Sequence, residues 1–147
     1  MTPFCGGTII TKKHVLTAAH CTFNRYTNEI DVPSSIQVMV GDHDTSDNIE
    51  DRRDVATIKN HPKFNNSNAN YDFSVLTLVS SLIFSSKIAP ICLPGSVSSH
   101  HNEQIATVIG WGVTSSEGAQ SPTLQKVDVT VLSNEKCKDY YPGKIHG

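Results

Sequence analysis

The 147-residue sequence has no long hydrophobic run, no Cys-x-x-Cys pair and no large excess of charge of either sign. A transmembrane helix needs about 20 consecutive apolar residues, so a membrane-spanning segment is not expected. The formal net charge of −2 provides no broad basic surface, so neither nucleic acid nor an anionic membrane is an expected partner. These absences favour a globular protein that acts on small molecules or on other proteins.

The first residues, Met1 to Phe4, lack the basic start and the apolar core of a secretory signal peptide. A targeting segment, if the protein has one, is therefore expected upstream of them. With 37% apolar residues, the chain is long enough to bury a core and has the length of one ordinary domain.

The chain contains four cysteines, Cys5, Cys21, Cys92 and Cys137, which allow three pairings if all are bridged within the chain. The missing Cys-x-x-Cys pair disfavours a zinc site or a redox motif. Structural disulfides would place the protein in an oxidising compartment. Four unpaired buried thiols remain the alternative at this point.

Short apolar or alternating runs recur between turn-rich segments, and their enrichment in Val, Ile and Thr is typical of strands. The predicted strands are residues 7–10, 14–18, 35–40, 55–59, 73–79, 105–110 and 124–132. Their spacing and the lack of sustained helical periodicity favour an all-β sandwich or barrel. One short helix is predicted over residues 136–141, with Ser133 as N-cap and Pro142-Gly143 at its end.

The segment 91–103 is rich in turn-forming residues and is predicted to connect two halves of the chain. Residues 1–90 hold about five strands, which are enough for most of a small barrel. Residues 104–147 supply only two good strands and the helix. The second half is therefore predicted to be an incomplete barrel.

Segment 16–21, Leu-Thr-Ala-Ala-His-Cys, is the most informative part of the chain. Its small Ala side chains let the backbone turn closely under the imidazole of His20. A bridge from Cys21 to Cys5 would fasten this turn to a neighbouring strand and close a loop of about 15 residues. A fixed position of the imidazole suits a general base, because proton transfer requires donor and acceptor within hydrogen-bond reach.

Six motifs follow one another in an order that resembles the trypsin/chymotrypsin family of serine proteases, over nearly the whole chain. They are Cys-Gly-Gly-Thr-Ile-Ile at 5–10, Thr-Ala-Ala-His-Cys at 17–21, Tyr-Asp-Phe-Ser-Val-Leu at 71–76, Pro-Ile-Cys-Leu-Pro at 90–94, Gly-Trp-Gly at 110–112 and a helix segment at 133–141. The resemblance implies a trypsin-like double β-barrel, with the first barrel nearly complete here and the second truncated.

The family resemblance also implies a catalytic triad of His, Asp and Ser. His20 matches the general base, and Asp72 matches the residue that accepts a hydrogen bond from the far ring nitrogen and fixes its tautomer. Taken singly, each has an ordinary alternative: a surface histidine and a turn-forming aspartate. We further predict a disulfide between Cys5 and Cys21, with Cα atoms ~4.4–6.8 Å apart. No cofactor and no metal are expected.

The family's nucleophile lies in a Gly-Asp-Ser-Gly-Gly segment, which does not occur in residues 1–147. The sequence is therefore interpreted as a fragment of a secreted serine endopeptidase, inactive by itself because acyl transfer needs the Ser. We interpret Met1 as the result of an incomplete gene prediction or an expression boundary. The alternative is a non-catalytic homologue that acts as a binding or regulatory protein.

Expected partners also follow from the resemblance. The substrate is expected to be a protein or peptide, and a protein inhibitor is a further expected partner. Cys92 resembles the residue that tethers the catalytic domain to an upstream light chain or propeptide. Cys137 resembles one that pairs with a cysteine beyond Gly147, and a bridge between Cys92 and Cys137 is the alternative.

Three weaker signals are interpreted as surface features. The acidic loop 42–54 contains Asp42, Asp44, Asp47, Glu50 and Asp51, which would suit calcium, but two arginines at 52 and 53 favour a solvated loop. Asn65-Asn66-Ser67 is an N-glycosylation sequon that is usable only if the chain is secreted. The pair His100-His101 lies in a Ser-rich connection, where metal binding is disfavoured.

Overall fold

A computed structural model describes residues 3–24, 26–27, 29–47, 51–95 and 101–145, to which all structural statements refer. Glu50 of the acidic loop and His100 of the predicted connection lie outside the described residues. The chain divides into two compact units, Met1–Leu93 and Pro94–Gly147.

The first unit is built on a five-stranded antiparallel sheet. Its strands are β1 (Gly7–Ile9), β2 (His14–Thr17), β5 (Gln37–Val40), β6 (Asp51–Asn60) and β7 (Ser74–Leu78). Their order across the sheet is β1-β2-β7-β6-β5. A separate two-stranded pair is formed by β3 (Phe23–Asn24) and β4 (Glu29–Ile30). Two short 3₁₀ helices, Ala19–Thr22 and Pro33–Ser35, complete the unit.

The core of the first unit lies against one face of this sheet. Its buried apolar residues are Val15, Ile36, Val40, Val55, Leu76, Leu78 and Leu82. Every second residue of β7 is buried, starting from Ser74, as the two-residue period of a strand requires. This alternation fixes which face of β7 packs on the core. It therefore also fixes the direction in which the residues before β7 leave the sheet.

The second unit consists of β8 (Ile105–Gly110), β9 (Gln125–Thr130) and the helix α1 (Asn134–Tyr140). The two strands pair antiparallel over six residues each. The helix begins where the hydroxyl of Ser133 accepts a hydrogen bond from the backbone N–H of Lys136, at 3.2 Å. In the described part of the chain, no helix combines the length and the apolar character that a membrane crossing requires.

The structure confirms the all-β prediction and all seven predicted strands, and the helix begins two residues and ends one residue earlier than predicted. Two features were missed. The short strands β3 and β4 have only two residues each, too few to show a pattern. Strand β6 begins at Asp51 rather than at residue 55, because its charged first residues pair with β5 at the edge of the sheet. Arg53 donates a hydrogen bond to Asp51 there, at 2.6 Å.

We expect Gly41→Ala to destabilise the first unit by more than about 1 kcal/mol. Gly41 follows β5 with φ of +71°, and an added Cβ would lie 3.0 Å from Cγ1 of Ile88. The matched control is Gly6→Ala, because Gly6 has open space around it and no positive φ. Urea denaturation of both variants is the measurement. Equal midpoints would contradict the strain at Gly41.

Candidate active site

His20 lies on the 3₁₀ helix Ala19–Thr22, which is separated from β2 by the single residue Ala18. The next residue, Cys21, forms a disulfide with Cys5 just before β1, and the two Cα atoms are 6.2 Å apart. The predicted pairing is confirmed, and the alternative of four unpaired thiols is wrong. The disulfide joins the turn that carries His20 to the chain entering the edge strand β1.

A buried polar contact attaches the same turn to the sheet. The side chain of Thr22 is almost completely buried, and its hydroxyl lies 3.0 Å from the carbonyl oxygen of Ala19 and 2.7 Å from Oδ1 of Asn60. Asn60 is the last residue of β6, so this contact ties the turn to the sheet. Sequence reasoning missed both residues, because a Thr and an Asn far apart in the chain carry no recognisable pattern.

The register of the sheet brings Asp72 towards His20. Strands β2 and β7 are antiparallel neighbours, with Thr17 opposite Ser74. His20 lies three residues after Thr17, and Asp72 lies two residues before Ser74, so both leave the sheet at the same end. The pairing of these two strands therefore determines that the residues meet.

Asp72 itself is the middle residue of a tight turn. The backbone N–H of Phe73 donates to the carbonyl oxygen of Tyr71 at 2.8 Å, which closes a three-residue turn. Tyr71 has φ of +56°, a left-handed conformation that is uncommon for a residue other than glycine. This backbone path turns the carboxylate of Asp72 away from the line of β7.

Both carboxylate oxygens of Asp72 contact His20. Oδ2 lies 2.6 Å from the ring nitrogen Nδ1, and Oδ1 accepts the backbone N–H of His20 at 2.8 Å. The two residues are separated by 52 positions in the sequence, and the prediction that they meet is confirmed. The His20 side chain is 56% exposed and that of Asp72 is 21% exposed. The acid is thus sheltered while the imidazole faces solvent.

Opposing effects act on the pKa of Asp72. Burial raises it, but hydrogen bonds from the ring and the backbone of His20 and from the backbone of Ala19 together lower the pKa below its ordinary value of 3.8. Asp72 is therefore ionised at neutral pH. An ionised carboxylate only accepts hydrogen bonds, so the neutral His20 ring carries its proton on Nδ1 and keeps Nε2 as an acceptor.

One group of residues resembles a metal site in composition. The side-chain ligand atoms of Cys5, His20 and Cys21 all lie within 4.8 Å of one another. Metal binding by cysteine requires the thiolate, and both sulfur atoms are joined in the disulfide. These residues therefore do not offer a zinc ligand set in the disulfide-bonded protein.

The remaining candidates lie apart from the His20–Asp72 pair in sequence. Asp44 accepts hydrogen bonds from the hydroxyl and the backbone N–H of Ser46, which lower its pKa. That acidic side chain thus stabilises a local turn. Cys92 is an exposed free thiol, and Cys137 is a half-buried free thiol.

A histidine that points Nδ1 at an ionised aspartate, on a disulfide-fastened turn beside an antiparallel sheet, is the arrangement of the trypsin-like serine protease class. Residues 2–147 match the family model described as Trypsin. The chain belongs to the trypsin family.

Similar proteins agree with this assignment. The chain is 35% identical to a venom serine protease of Polistes dominula, over 97% of the chain and 51% of that protein. It is also 35% identical to a trypsin of Sus scrofa, over 98% of the chain and 58% of that protein. A solved structure of neuropsin, a serine protease of mouse brain, is 31% identical with a TM-score of 0.80, covering 97% of this chain and 60% of that one. The chain thus spans about half the length of the curated relatives it matches.

We expect Asp72→Asn to lower the stability of the chain at neutral pH and to reduce its loss of stability in acid. The folded-state pKa of Asp72 is depressed, so its stabilising contribution is present above the unfolded pKa of 3.8 and is lost as the pH falls through the lower folded value. Urea midpoints at pH 7 and at pH 3 measure both effects. Asp139→Asn is the control. Equal acid sensitivity of the two variants would contradict a stabilising contact between Asp72 and His20.

Proposed function

We propose that this chain forms the His- and Asp-bearing part of a secreted serine endopeptidase that hydrolyses peptide bonds through an acyl-enzyme. The observation that carries the proposal is the double contact of Asp72 with the ring and the backbone of His20, at 2.6 and 2.8 Å. Such a contact sets both the tautomer and the orientation of an imidazole that acts as general base.

In the proposed reaction, Nε2 of His20 accepts the proton of a serine hydroxyl as the oxygen attacks the carbonyl carbon of the substrate. Asp72 stabilises the imidazolium that results, without taking the proton itself. His20 then donates the proton to the leaving amine. The serine is contributed from outside residues 1–147, in which no Gly-Asp-Ser-Gly-Gly segment occurs.

Several observations support the finer parts of the proposal. The similar proteins named above are described as serine proteases or trypsins, which favours a protein or peptide substrate. The disulfide of Cys5 is typical of proteins from an oxidising compartment and supports secretion. The exposed free thiol of Cys92 is available for an upstream light chain or propeptide. A protein inhibitor is a further proposed partner.

The domain organisation is part of the same proposal. Residues 1–90 form most of the first barrel, 91–103 the connection, and 104–147 the beginning of a second barrel. Support comes from the second unit, in which β8 and β9 expose the large apolar residues Ile105, Val108, Ile109, Val127 and Val129. A two-stranded sheet has too little area to bury such side chains by itself.

The 147-residue chain is expected to show no peptidase turnover that depends on His20. The reason is that a general base accelerates acyl transfer only when a nucleophile is placed against it. The measurement is turnover of a panel of peptide ester and amide substrates, together with labelling by a fluorophosphonate serine reagent. Stoichiometric labelling of a serine in this chain, or turnover abolished by His20→Ala, would contradict this expectation.

In the longer protein encoded by the complete transcript, Asp72→Asn is expected to lower kcat by about 10⁴-fold, the loss seen for the triad aspartate in serine proteases. His20→Ala is expected to abolish the same activity. Asp139→Asn on α1 serves as control and is expected to retain wild-type turnover. A glycine at the position of the serine, or full activity of Asp72→Asn, would refute the proposed function.

A further inference from the structure

His61 lies close to the candidate site but has no part in the proposed reaction. It directly follows β6 and is half-buried, stacked on the ring of Tyr71 with centroids 4.7 Å apart and an interplanar angle of 13°. The same imidazole packs at a tilt against Phe73, also at 4.7 Å. His61 therefore contacts the residues on both sides of Asp72.

Backbone hydrogen bonds join His61 to the same turn. Its N–H donates to the carbonyl oxygen of Phe73 at 3.0 Å, and this bond continues the pairing of β6 with β7 by one step beyond Asn60 and Ser74. The turn around Asp72 is thus attached to the rest of the sheet through His61.

The ring of His61 is also held by a hydrogen bond within its own loop. The backbone N–H of Lys63 donates to Nδ1 of His61 at 3.2 Å. The ammonium group of Lys63 lies 5.8 Å from the centre of the Tyr71 ring. The hydrogen bond from Lys63 therefore helps to orient the imidazole that stacks on Tyr71.

Tyr71 needs such support because of its backbone. A left-handed conformation of a bulky residue persists only where the surrounding contacts impose it. In the described residues around Tyr71, the closest aromatic contact is the His61 stack. If Tyr71 relaxed to an ordinary conformation, the next residue, Asp72, would turn its carboxylate away from His20.

We propose that His61 is a positioning residue for the His20–Asp72 pair: its stack on Tyr71 maintains the left-handed turn that aims the Asp72 carboxylate at Nδ1 of His20. The inference rests on the proposed function for its significance, since it describes how the general base of that reaction is oriented. His61 acts directly on neither His20 nor a substrate. Its effect is on the geometry of Asp72.

The test is the exchange of the Nδ1 proton of His20 with solvent, measured by ¹⁵N-histidine NMR on the 147-residue chain. Seven histidines are present, and the signal is assigned by its loss in His20→Ala. A purely structural role of His61 would lower overall stability without changing this proton selectively. The readout needs neither a nucleophile nor turnover, so a failure of the proposed function in an activity assay leaves it unaffected.

Two variants separate the aromatic stack from the hydrogen bond to Lys63. His61→Gln keeps a side-chain acceptor but removes the aromatic face, and it is expected to speed exchange of the His20 proton about two- to tenfold, the factor that corresponds to one lost aromatic pair. His61→Phe keeps the face without the acceptor and is expected to stay within about twofold of wild type. The surface aromatic variant Phe84→Ala is the control and is expected to match wild type.

Equal behaviour of the Gln and Phe variants, or faster exchange in the Phe variant alone, would overturn the proposal. If His61→Gln does not fold, Tyr71→Ala and Tyr71→Phe replace it. Alanine keeps the cost of the positive φ but removes the stacked ring, so faster exchange in Tyr71→Ala and wild-type exchange in Tyr71→Phe are expected. Unchanged exchange in a folded Tyr71→Ala chain would also overturn the proposal.

Discussion

The antiparallel pairing of β2 with β7 is the constraint on which the candidate site depends. It places Thr17 opposite Ser74, and the short segments that continue from these two residues carry His20 and Asp72. Because side chains alternate along a strand, a slip of one residue would send Ser74, Leu76 and Leu78 to the other face and withdraw them from the core. The burial of β7 therefore also determines the register that brings the acid to the base.

Two further connections make the turn around His20 rigid. The disulfide of Cys5 and Cys21 joins the turn covalently to the chain before β1, and the buried hydroxyl of Thr22 joins it to Asn60 at the end of β6. Closing a loop of this size contributes about 3 kcal/mol in the chain-entropy estimate. A buried hydrogen bond contributes about 1 kcal/mol, and more is lost when its partner is left unpaired. Catalytic geometry within a few tenths of an ångström needs supports of this kind.

The two units differ in how completely they bury their strands. In the first, strands from five parts of the chain enclose a cluster of buried aliphatic side chains. In the second, β8 and β9 pair only with each other among the residues that the structure describes, and all six residues of β9 are exposed. The chain also spans only about half the length of the curated relatives that it matches. The candidate site lies wholly within residues of the first unit.

Local patterns were sufficient to predict much of this protein. Alternating Val, Ile and Leu residues predicted the main strands, Ser133 predicted the start of the helix, and the motifs around His20 and Asp72 predicted the family. Each of these signals depends on neighbours within a few residues, or on a motif that is recognisable by itself.

Tertiary structure alone decided the supports of the site. The contact of Thr22 with Asn60, the left-handed conformation of Tyr71 and the stack of His61 on Tyr71 join residues that are far apart in the chain or that have no characteristic local pattern. The extension of β6 to Asp51 likewise depends on pairing with β5, which overrides the low strand propensity of Asp. The sequence determined which groups are available to the candidate site, and the packing of the sheet determined how they are held, because orientation depends on contacts that exist only after the strands have paired.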